Sequence, residues 1–472
     1  MQPDVRREDL RARSTAALND GFLRGAVGFT VDRLSAAKAR SSDAFGNWEA
    51  WRERGREIRA HTLANLDFYL AQFANRASEA GARVHFAKTA AEARRILLEI
   101  VREKSARRIV KSKSMLTEEL GVNAALAGAG CQVVETDLGE WIVQLAQEAP
   151  SHLILPAIHK PRHHIQTLFE AQAGGKLAPD TATLAGFARQ RLRREFERAD
   201  LGITGCNFAV AETGSIALFT NEGNGRMVTT LPQAHVVIMG MERIVPTLAD
   251  LDVMANLLPR SATGQKLTTY LNVMTGPRRT GELDGPRDLD VIVVDNGRSR
   301  ILGDPEFRDV LGCIRCGACL NVCPVYRQIG GHAYGSVYGG PIGAVLSPLL
   351  EPSGPATELA NASTLCGACF EACPVKIPLH DHLVQLRRRN VAAGQGGVAE
   401  ALSFRIFGHV FSSPRWFGLL GRAFRFVRRR LGRNRSDYWA RFVPAFAAWT
   451  KYRAVPEPPE RAFRDSFEEG SQ

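Results

Sequence analysis

The chain has 472 residues, of which 45% are hydrophobic and 23% charged, a globular composition in a length that calls for more than one domain. No apolar run follows the N-terminal charges and no stretch of about 18 apolar residues occurs, so we expect neither a secretory signal nor a membrane span. The net charge of +12 is concentrated in residues 401–453, which hold twelve Lys or Arg residues and one acid.

The first part of the chain alternates between helical and strand patterns. Residues 1–60 are polar with scattered aromatic residues, and we predict an N-terminal helical segment there. Helical spacing of apolar residues then marks residues 61–81, 90–104 and 117–130, and short β-rich runs mark 83–87, 106–114 and 131–137. This alternation predicts α/β layers around a largely parallel sheet.

A mostly helical stretch at about 140–200 is followed by further strand-like runs at 206–225, 235–245 and 288–297. The glycine-rich "NEGNG" is predicted to be a tight hairpin or loop, and residues 274–288 a long loop. We therefore divide the chain into an N-terminal helical segment (1–60), an α/β domain (61–300), a cysteine-rich domain (305–390) and a basic C-terminal extension (391–472).

Seven of the nine cysteines lie in two related motifs, which indicates metal ligation in a reducing compartment, the cytoplasm, rather than disulfides. The first motif, "CIRCGACLNVCP", has the C-x2-C-x2-C-x3-C-P spacing of bacterial [4Fe–4S] ferredoxins. The second, "STLCGACFEACP", repeats it in frame with Ser363 at the first cysteine position. Two such copies, each ending in proline, favour iron–sulfur clusters over a zinc site.

In two-cluster ferredoxins the fourth cysteine of each motif binds the other cluster. Applied here, this rule assigns four thiolates to cluster one: Cys313, Cys316, Cys319 and Cys373. It assigns three to cluster two: Cys323, Cys366 and Cys369. Ser363 would be a poor ligand for iron bound to sulfide. Cluster two is therefore a [4Fe–4S] cluster with another group on its fourth iron, a [3Fe–4S] cluster, or a cluster completed by a partner.

Other candidate residues have weaker patterns. Glu212 in "AETGS" fits a nucleophile by analogy with some CoA-transferases, but a strand-end acid bonded to a turn is the favoured interpretation. His159, His163 and His164 fit a helix start in solvent better than a metal site. "KSKSM" (111–115) and "NEGNGRM" (221–227) are weak candidates for anion binding. Cys131 and Cys206 are expected to be ordinary buried thiols far from the clusters.

The basic extension contains an amphipathic helix. Its apolar face is formed by Phe417, Leu420, Phe424, Val427 and Leu431, and arginines surround that face. Such a helix packs on its own protein or docks a partner subunit; peripheral contact with an anionic membrane ranks next, and nucleic acid is not expected as a partner.

The "AETGS" segment followed by the two motifs resembles the lactate utilisation protein B family. That resemblance covers nearly the whole chain. It implies an α/β LUD domain, similar in fold to the CoA-transferase/ribose-5-phosphate isomerase group, then an α-helical ferredoxin-type domain with two clusters and a basic helical C-terminal extension. The family's cluster ligands fall on the seven cysteines named above, with the second [4Fe–4S] cluster also short of one cysteine. The cysteine arrangement alone is similar to that of the glycolate oxidase and succinate dehydrogenase iron–sulfur subunits.

The resemblance implies an electron-transfer subunit of a system that oxidises L-lactate to pyruvate. Its implied partners are a second iron–sulfur subunit and a small LUD-domain protein, together with an unknown electron acceptor. Since the sequence shows no flavin or nicotinamide fingerprint, the two-electron oxidation is not expected to occur on this chain alone. Three alternatives remain open: a subunit for another 2-hydroxy acid or a quinone-linked dehydrogenase, a Lewis-acid catalyst at the fourth iron of cluster two, and a regulatory iron–sulfur protein.

Overall fold

The structure, a computed structural model, describes residues 9–352, 354–395 and 398–431, together with Ala447, Phe463 and Phe467. The chain separates into two compact units, Met1–Arg389 and Asn390–Gln472. The α/β part and both cysteine motifs belong to the first unit.

Ten strands are described, and they all lie in the first unit. They are β1 (Arg83–Ala87), β2 (Arg108–Lys111), β3 (Gln132–Glu135), β4 (Leu201–Thr204), β5 (Phe208–Val210), β6 (Ser215–Thr220), β7 (Ala234–Gly240), β8 (Ile244–Val245), β9 (Tyr270–Met274) and β10 (Asp288–Val294).

Twenty α-helices are described. They are α1 (Leu10–Asn19), α2 (Gly21–Phe45), α3 (Trp48–Ala64), α4 (Leu66–Glu79), α5 (Ala90–Glu103), α6 (Met115–Glu119), α7 (Val122–Gly128), α8 (Leu138–Leu145), α9 (Arg162–Ala173), α10 (Thr181–Glu197), α11 (Asn224–Thr230), α12 (Leu248–Thr263), α13 (Arg298–Leu302), α14 (Ala318–Asn321), α15 (Pro324–Ile329), α16 (Gly340–Leu350), α17 (Ala368–Ala372), α18 (Leu379–Ala392), α19 (Val398–Ser412) and α20 (Pro414–Leu431).

Six strands form a fully parallel sheet in the order β1-β10-β7-β4-β2-β3, which confirms the predicted α/β layering. From β2 the chain moves outward to β3, whereas from β4 it moves the other way to β7 and then β10. The direction of winding therefore reverses between β2 and β4, which are paired through Val110 and Gly202. A crevice at the carboxyl ends of such strands is where open α/β sheets bind ligands.

A second sheet of four strands has the order β8-β5-β6-β9. Its β5–β6 hairpin turns at Gly214, where φ is +69°. A Cβ atom at Gly214 would lie 2.3 Å from the backbone nitrogen of Ala77 in α4, so this turn needs glycine for close approach as well as for its backbone angle.

The N-terminal helices pack against the cysteine-rich region. Helix α2 contacts α12, α14 and α15, and helix α3 contacts α12 and the short 3₁₀ turn at 308–312. Buried apolar residues of these helices, including Val27, Val31 and Ile58, belong to the same hydrophobic core as the second sheet and the cysteine loops. Since this core is continuous, the α/β part and the cysteine-rich part of the first unit fold against each other.

Several predicted elements occur at their predicted places, among them β1, α5, β3 and β10. The predicted single helix at 117–130 is instead two short helices, because Gly121 between them takes a positive φ of 64°. At "NEGNG", predicted to be a tight hairpin or loop, residues 221–223 form a loop and α11 begins at Asn224. Strands β4 and β9 and helix α12 were not predicted. The relationship to the CoA-transferase/ribose-5-phosphate isomerase fold stays a prediction.

In the second unit, the predicted basic helix corresponds to α20. Phe417, Leu420 and Phe424 of its predicted apolar face are exposed at about half of their surface, 49%, 49% and 47%. The side chains of Val427 and Leu431 lie outside the described residues. Among the helices that the structure describes, none has both the length and the apolar character required to cross a bilayer.

Candidate metal centres

The two cysteine motifs fold into loops with the same backbone conformation. Arg315 and Gly317 in the first loop have φ angles of 60° and 76°, and Leu365 and Gly367 in the second have 56° and 80°. A short helix follows each loop, α14 and α17, and these two helices pack against each other. Left-handed residues alternating with ordinary ones turn successive backbone N–H groups toward one point, a geometry suited to an anionic group.

These N–H groups donate to the side chains at the cysteine positions. The Arg315 N–H donates to Cys313 Sγ at 3.4 Å, and the Leu365 N–H donates to Ser363 Oγ at 3.1 Å. The hydroxyl of Ser363 therefore takes the place in the second loop that the Cys313 thiol takes in the first. The last cysteine of each motif also accepts a backbone hydrogen bond. The Tyr326 N–H donates to Cys323 Sγ at 3.5 Å, and the Ile377 N–H donates to Cys373 Sγ at 3.4 Å.

Four thiols lie close enough to affect one another's pKa values and form a first group. Burial raises the pKa of Cys316 to about 12, with the nearby thiol of Cys373 adding to the effect. Burial also raises the pKa of Cys373 to about 11, and Cys313 contributes. The pKa of Cys319 lies well above its usual value through burial and the thiols of Cys313 and Cys316. The structure thus brings Cys373 of the second motif to the first three cysteines of the first.

Three thiols form a second group beside the first. Burial raises the pKa of Cys369 to about 11, and Cys323 of the first motif adds to this. The pKa of Cys323 is raised by burial and by Cys366. Cys366 is exposed, and the Ala368 N–H lowers the pKa of its thiol. The second group is thus open to solvent at Cys366.

The donor chemistry of both groups fits iron–sulfur clusters. Buried thiols with raised pKa values stay protonated at neutral pH unless a cation binds them, and iron would supply that charge. Thiolates are soft ligands that suit iron in sulfide clusters, and backbone N–H groups directed at sulfur tune such clusters.

Basic side chains from the N-terminal helices reach the carbonyl groups of the cysteine loops. Arg52 of α3 donates to the carbonyl oxygens of Cys373 and Phe370, at 2.9 Å each. Arg59 of the same helix, 3% exposed, donates to Gly312 O at 3.3 Å. No motif marks these arginines in the sequence, and we did not predict them. Their charges lie where they would stabilise an anionic cluster bound by these loops.

The remaining candidate residues have structural partners. Glu212 accepts a hydrogen bond from the Leu248 N–H at 3.1 Å, so its partner is the start of α12 rather than a turn. His163 and His164 are exposed in the first turn of α9. His159 lies apart from them, with Nε2 2.7 Å from a Glu148 oxygen, and burial lowers its pKa to about 4.

The two other cysteines, which we expected to be ordinary buried thiols, are half-buried. Cys131 donates to Ala106 O at 3.6 Å. Cys206 lines a cavity that Arg315 of the first cysteine loop also lines, so it is closer to this loop than expected. Burial raises the pKa of Cys206 to about 12, which keeps the thiol protonated.

That cavity has a volume of about 310 Å³ and lies at the carboxyl ends of β2 and β4. We call it the switch-point cavity; its walls are formed by residues 112–116, 205–207 and 218–224 with Arg243, Arg298 and Arg315, among others. It is lined by four of the five residues of one weak anion-binding candidate, 111–115, and by three of the seven residues of the other, 221–227. The sequence did not show that these two segments meet.

A second feature that we did not predict is a group of carboxylates, Glu118, Glu135 and Glu140, whose oxygen atoms lie within 4.8 Å of one another. Lys111 neutralises part of this charge, with Nζ 2.7 Å from Glu135 and 3.3 Å from Glu118. Burial and the neighbouring Glu135 raise the pKa of Glu140 to about 8. Lys111 and a proton on Glu140 together reduce the negative charge of this group of carboxylates enough for it to be buried at neutral pH.

Three protein families match successive parts of the chain. They are the LUD domain at 70–294, the 4Fe-4S dicluster domain at 309–377, and "Lactate utilisation protein B, C-terminal" at 386–472. Lactate utilization protein B of Shouchella clausii (strain KSM-K16) is 48% identical over 460 residues, covering 96% of this chain and 95% of that protein. Its namesake in Macrococcus caseolyticus (strain JCSC5402) is 48% identical over 467 residues, covering 98% of both.

A crystal structure of a DUF162 family protein from Deinococcus radiodurans is 21% identical and covers 48% of this chain and 98% of that chain. Its TM-score of 0.29 is too low to support a statement about the fold.

Proposed function

The chain belongs to the lactate utilization protein B family, and we propose that it is the iron–sulfur electron-transfer component of a multi-protein system that oxidises L-lactate to pyruvate. The observation that carries the proposal is the arrangement of seven thiols into two adjacent groups, each of which includes a cysteine from the other motif. Adjacent clusters suit the passage of single electrons through the protein.

We further propose two clusters. Cluster one is a [4Fe–4S] cluster bound by Cys313, Cys316, Cys319 and Cys373. Cluster two is bound by Cys323, Cys366 and Cys369, and is either a [4Fe–4S] cluster with a non-cysteine ligand or a [3Fe–4S] cluster.

Partners are part of the proposal because lactate loses two electrons while each cluster carries one. We propose a second iron–sulfur subunit and a small LUD-domain protein as those partners, acting in the reducing environment of the cytoplasm. The names of the curated relatives support a role in lactate utilization.

The cofactor part is tested by anaerobic purification, quantitation of iron and sulfide, and EPR spectroscopy, with Cys366→Ala alongside. About eight irons per chain with reduced [4Fe–4S] signals would establish two cubane clusters, whereas about seven with an oxidised three-iron signal would establish a [3Fe–4S] cluster two. Cys366→Ala should alter only the cluster-two signal. A reconstituted protein without stoichiometric iron would refute the proposal.

The substrate part is tested by mixing the holoprotein with the two proposed partners and following cluster reduction after adding L-lactate. We expect reduction with L-lactate and little with glycolate at the same concentration. Faster reduction by glycolate would instead assign the protein to another 2-hydroxy acid.

A further inference from the structure

The switch-point cavity lies between the sheet and the first cysteine loop. Ser112 directly follows β2 and Gly205 directly follows β4, the two strands between which the winding of the sheet reverses. Arg315, between Cys313 and Cys316, lines the same cavity. A molecule bound here would therefore contact both the ligand-binding edge of an α/β sheet and the loop of cluster one.

Three arginines gather around one carboxylate in the wall of this cavity. Glu242 lies 2.9 Å from Arg298, 3.7 Å from Arg315 and 3.8 Å from Arg243. Arg298 has a second partner, Glu119, at 2.8 Å. All five side chains are between 1% and 13% exposed, so three buried guanidinium groups share two carboxylates. Within the described part of the chain, one buried positive charge has no carboxylate of its own.

The hydrogen bonds point to Arg315 as an unsatisfied group. The side chain of Arg315 is only 9% exposed, so water cannot readily reach it. Its Nε and Nη1 atoms are nevertheless without a hydrogen-bond partner. The guanidinium is held over the ring of Tyr338, 4.9 Å from the centroid. Buried N–H groups are normally paired, so these donors indicate an acceptor that the chain itself does not supply.

A separate group of charges lines the cavity near β2 and β3. Lys113 Nζ donates to Ile154 O at 2.8 Å. Glu222 accepts from the Leu138 N–H at 3.1 Å, and burial together with the neighbouring Asp137 raises the pKa of its carboxyl. Two acidic groups brought together in this way are stabilised by a hydrogen-bond donor placed between them. The cavity thus has one region suited to a carboxylate and another suited to a hydroxyl group.

We propose that the switch-point cavity binds a small 2-hydroxy carboxylate, with its carboxylate at Arg315 and Arg243 and its hydroxyl group at Glu222 and Asp137. The inference rests on the proposed function for the choice of L-lactate as probe. It concerns binding and includes no chemical step. The unpaired N–H donors of Arg315 could instead face cluster one, which is also anionic and would be bound by the same loop.

The test is anaerobic calorimetric titration of the iron-loaded full-length protein with L-lactate and, separately, with acetate. We expect saturable binding of one L-lactate per chain and at least tenfold weaker binding of acetate, which lacks the hydroxyl group. Absence of L-lactate binding to fully loaded protein would overturn the proposal and assign the free arginine donors to cluster one. Equal affinity for acetate would overturn the assignment of Glu222 and Asp137.

Two variants test the two regions independently, Arg243→Gln and Glu222→Gln. Each should weaken L-lactate binding at least tenfold, with iron content unchanged. Arg226→Gln is the matched control, because Arg226 is exposed on α11 and does not line the cavity. If Arg243→Gln loses iron, Glu222→Gln decides, since Glu222 is distant from the cysteine loops in sequence. Unchanged affinity in Glu222→Gln would overturn the proposal.

The outcome is separable from that of the proposed function. Cluster reduction by L-lactate through the partners, without binding to this chain, would leave the function standing and remove the site. Binding without cluster reduction would keep the site and remove the electron-transfer role.

Discussion

Ser363 stands in the second loop where Cys313 stands in the first, so the proposed cluster two would have one cysteine ligand fewer than the proposed cluster one. Its Oγ receives the Leu365 N–H as Cys313 Sγ receives the Arg315 N–H, within loops of the same conformation. The loop is thus built for a cysteine ligand and carries a hydroxyl group instead. Because a hydroxyl is a hard and weak ligand for iron in a sulfide cluster, the proposed cluster two would have one replaceable position.

Ser363→Cys should give cluster two a fourth thiolate. We expect the wild-type protein to show an oxidised three-iron EPR signal after brief exposure to air, because the iron without a cysteine is lost or absent. The Ser363→Cys protein should retain about eight irons and lack that signal.

Ser363→Ala is the control for this change, since it removes the hydroxyl group without adding a thiolate and should behave as the wild type does. An equally strong three-iron signal in Ser363→Cys would show that the position does not reach cluster two.

At the scale of elements, α3 links the N-terminal segment to the cysteine loops. It places Arg52 on the carbonyl groups of Cys373 and Phe370, where the guanidinium stabilises the loop and would also stabilise the negative charge of a cluster bound by it. Such charge-assisted bonds each contribute about 1.5–3 kcal/mol to stability.

Arg52→Met should therefore lower the reduction potential of cluster one, since the reduced cluster carries more negative charge, and should destabilise the protein by about 2–4 kcal/mol. Anaerobic redox titration followed by EPR, and denaturant unfolding, measure the two effects. The matched control is Arg56→Met on the same helix, where Arg56 is 47% exposed and pairs with Glu53. A potential that shifts equally in both variants would contradict the specific role of Arg52.

Strand β7 contributes a buried histidine that makes the α/β part sensitive to acid. His235 is 1% exposed and its Nε2 lies 2.9 Å from Thr204 Oγ1. Burial lowers its pKa to about 3, so the folded protein holds it neutral while the unfolded chain protonates it near pH 6.5. Its contribution to stability is thus present above pH 6.5 and is lost as pH falls toward 3.

His235→Gln should remove the part of the pH dependence of the free energy of unfolding that comes from protonation of His235. For one proton this part amounts to about 1.4 kcal/mol per pH unit. The stability difference between wild type and variant should therefore narrow between pH 7 and pH 5, as followed by urea unfolding of anaerobic protein. For His163→Gln, which alters an exposed histidine of α9, the difference should stay constant. A constant difference for His235→Gln as well would refute a neutral buried imidazole.

At the scale of the whole molecule, all seven motif cysteines lie in the compact unit Met1–Arg389. The hydrophobic core of that unit runs from the N-terminal helices through the second sheet to the cysteine loops. We therefore expect cluster binding to depend on the N-terminal segment as well as on the motifs.

A chain ended after Gly394 should keep the iron content and EPR signals of the full-length protein, because α18 ends at Ala392 and the basic extension supplies no motif cysteine. Iron quantitation and EPR of the two anaerobic proteins check this. Loss of one cluster in the shortened chain would show that the extension takes part in cluster binding.

The sequence by itself determined the features that depend on neighbours along the chain. The sequence shows the spacing of the cysteines, the glycines of the two loops and the alternation of apolar residues directly, because all three are local patterns. The first two predicted iron–sulfur clusters and the cysteine repeat with its serine, and the third predicted the parallel sheet. Helix α12 and strand β4 escaped prediction because their burial comes from packing against distant segments: β4 lies between β2 and β7, and α12 lies against α2 and α3.

Only the tertiary structure decided which distant groups meet. It placed Arg52 and Arg59 on the cysteine loops, although more than 250 residues separate each from its partner there. It also joined two weak anion-binding segments with Arg243 and Arg315 in one cavity. Charges at such separations in sequence leave no periodic pattern, because their positions follow from the winding of the sheet and the shared core rather than from local spacing.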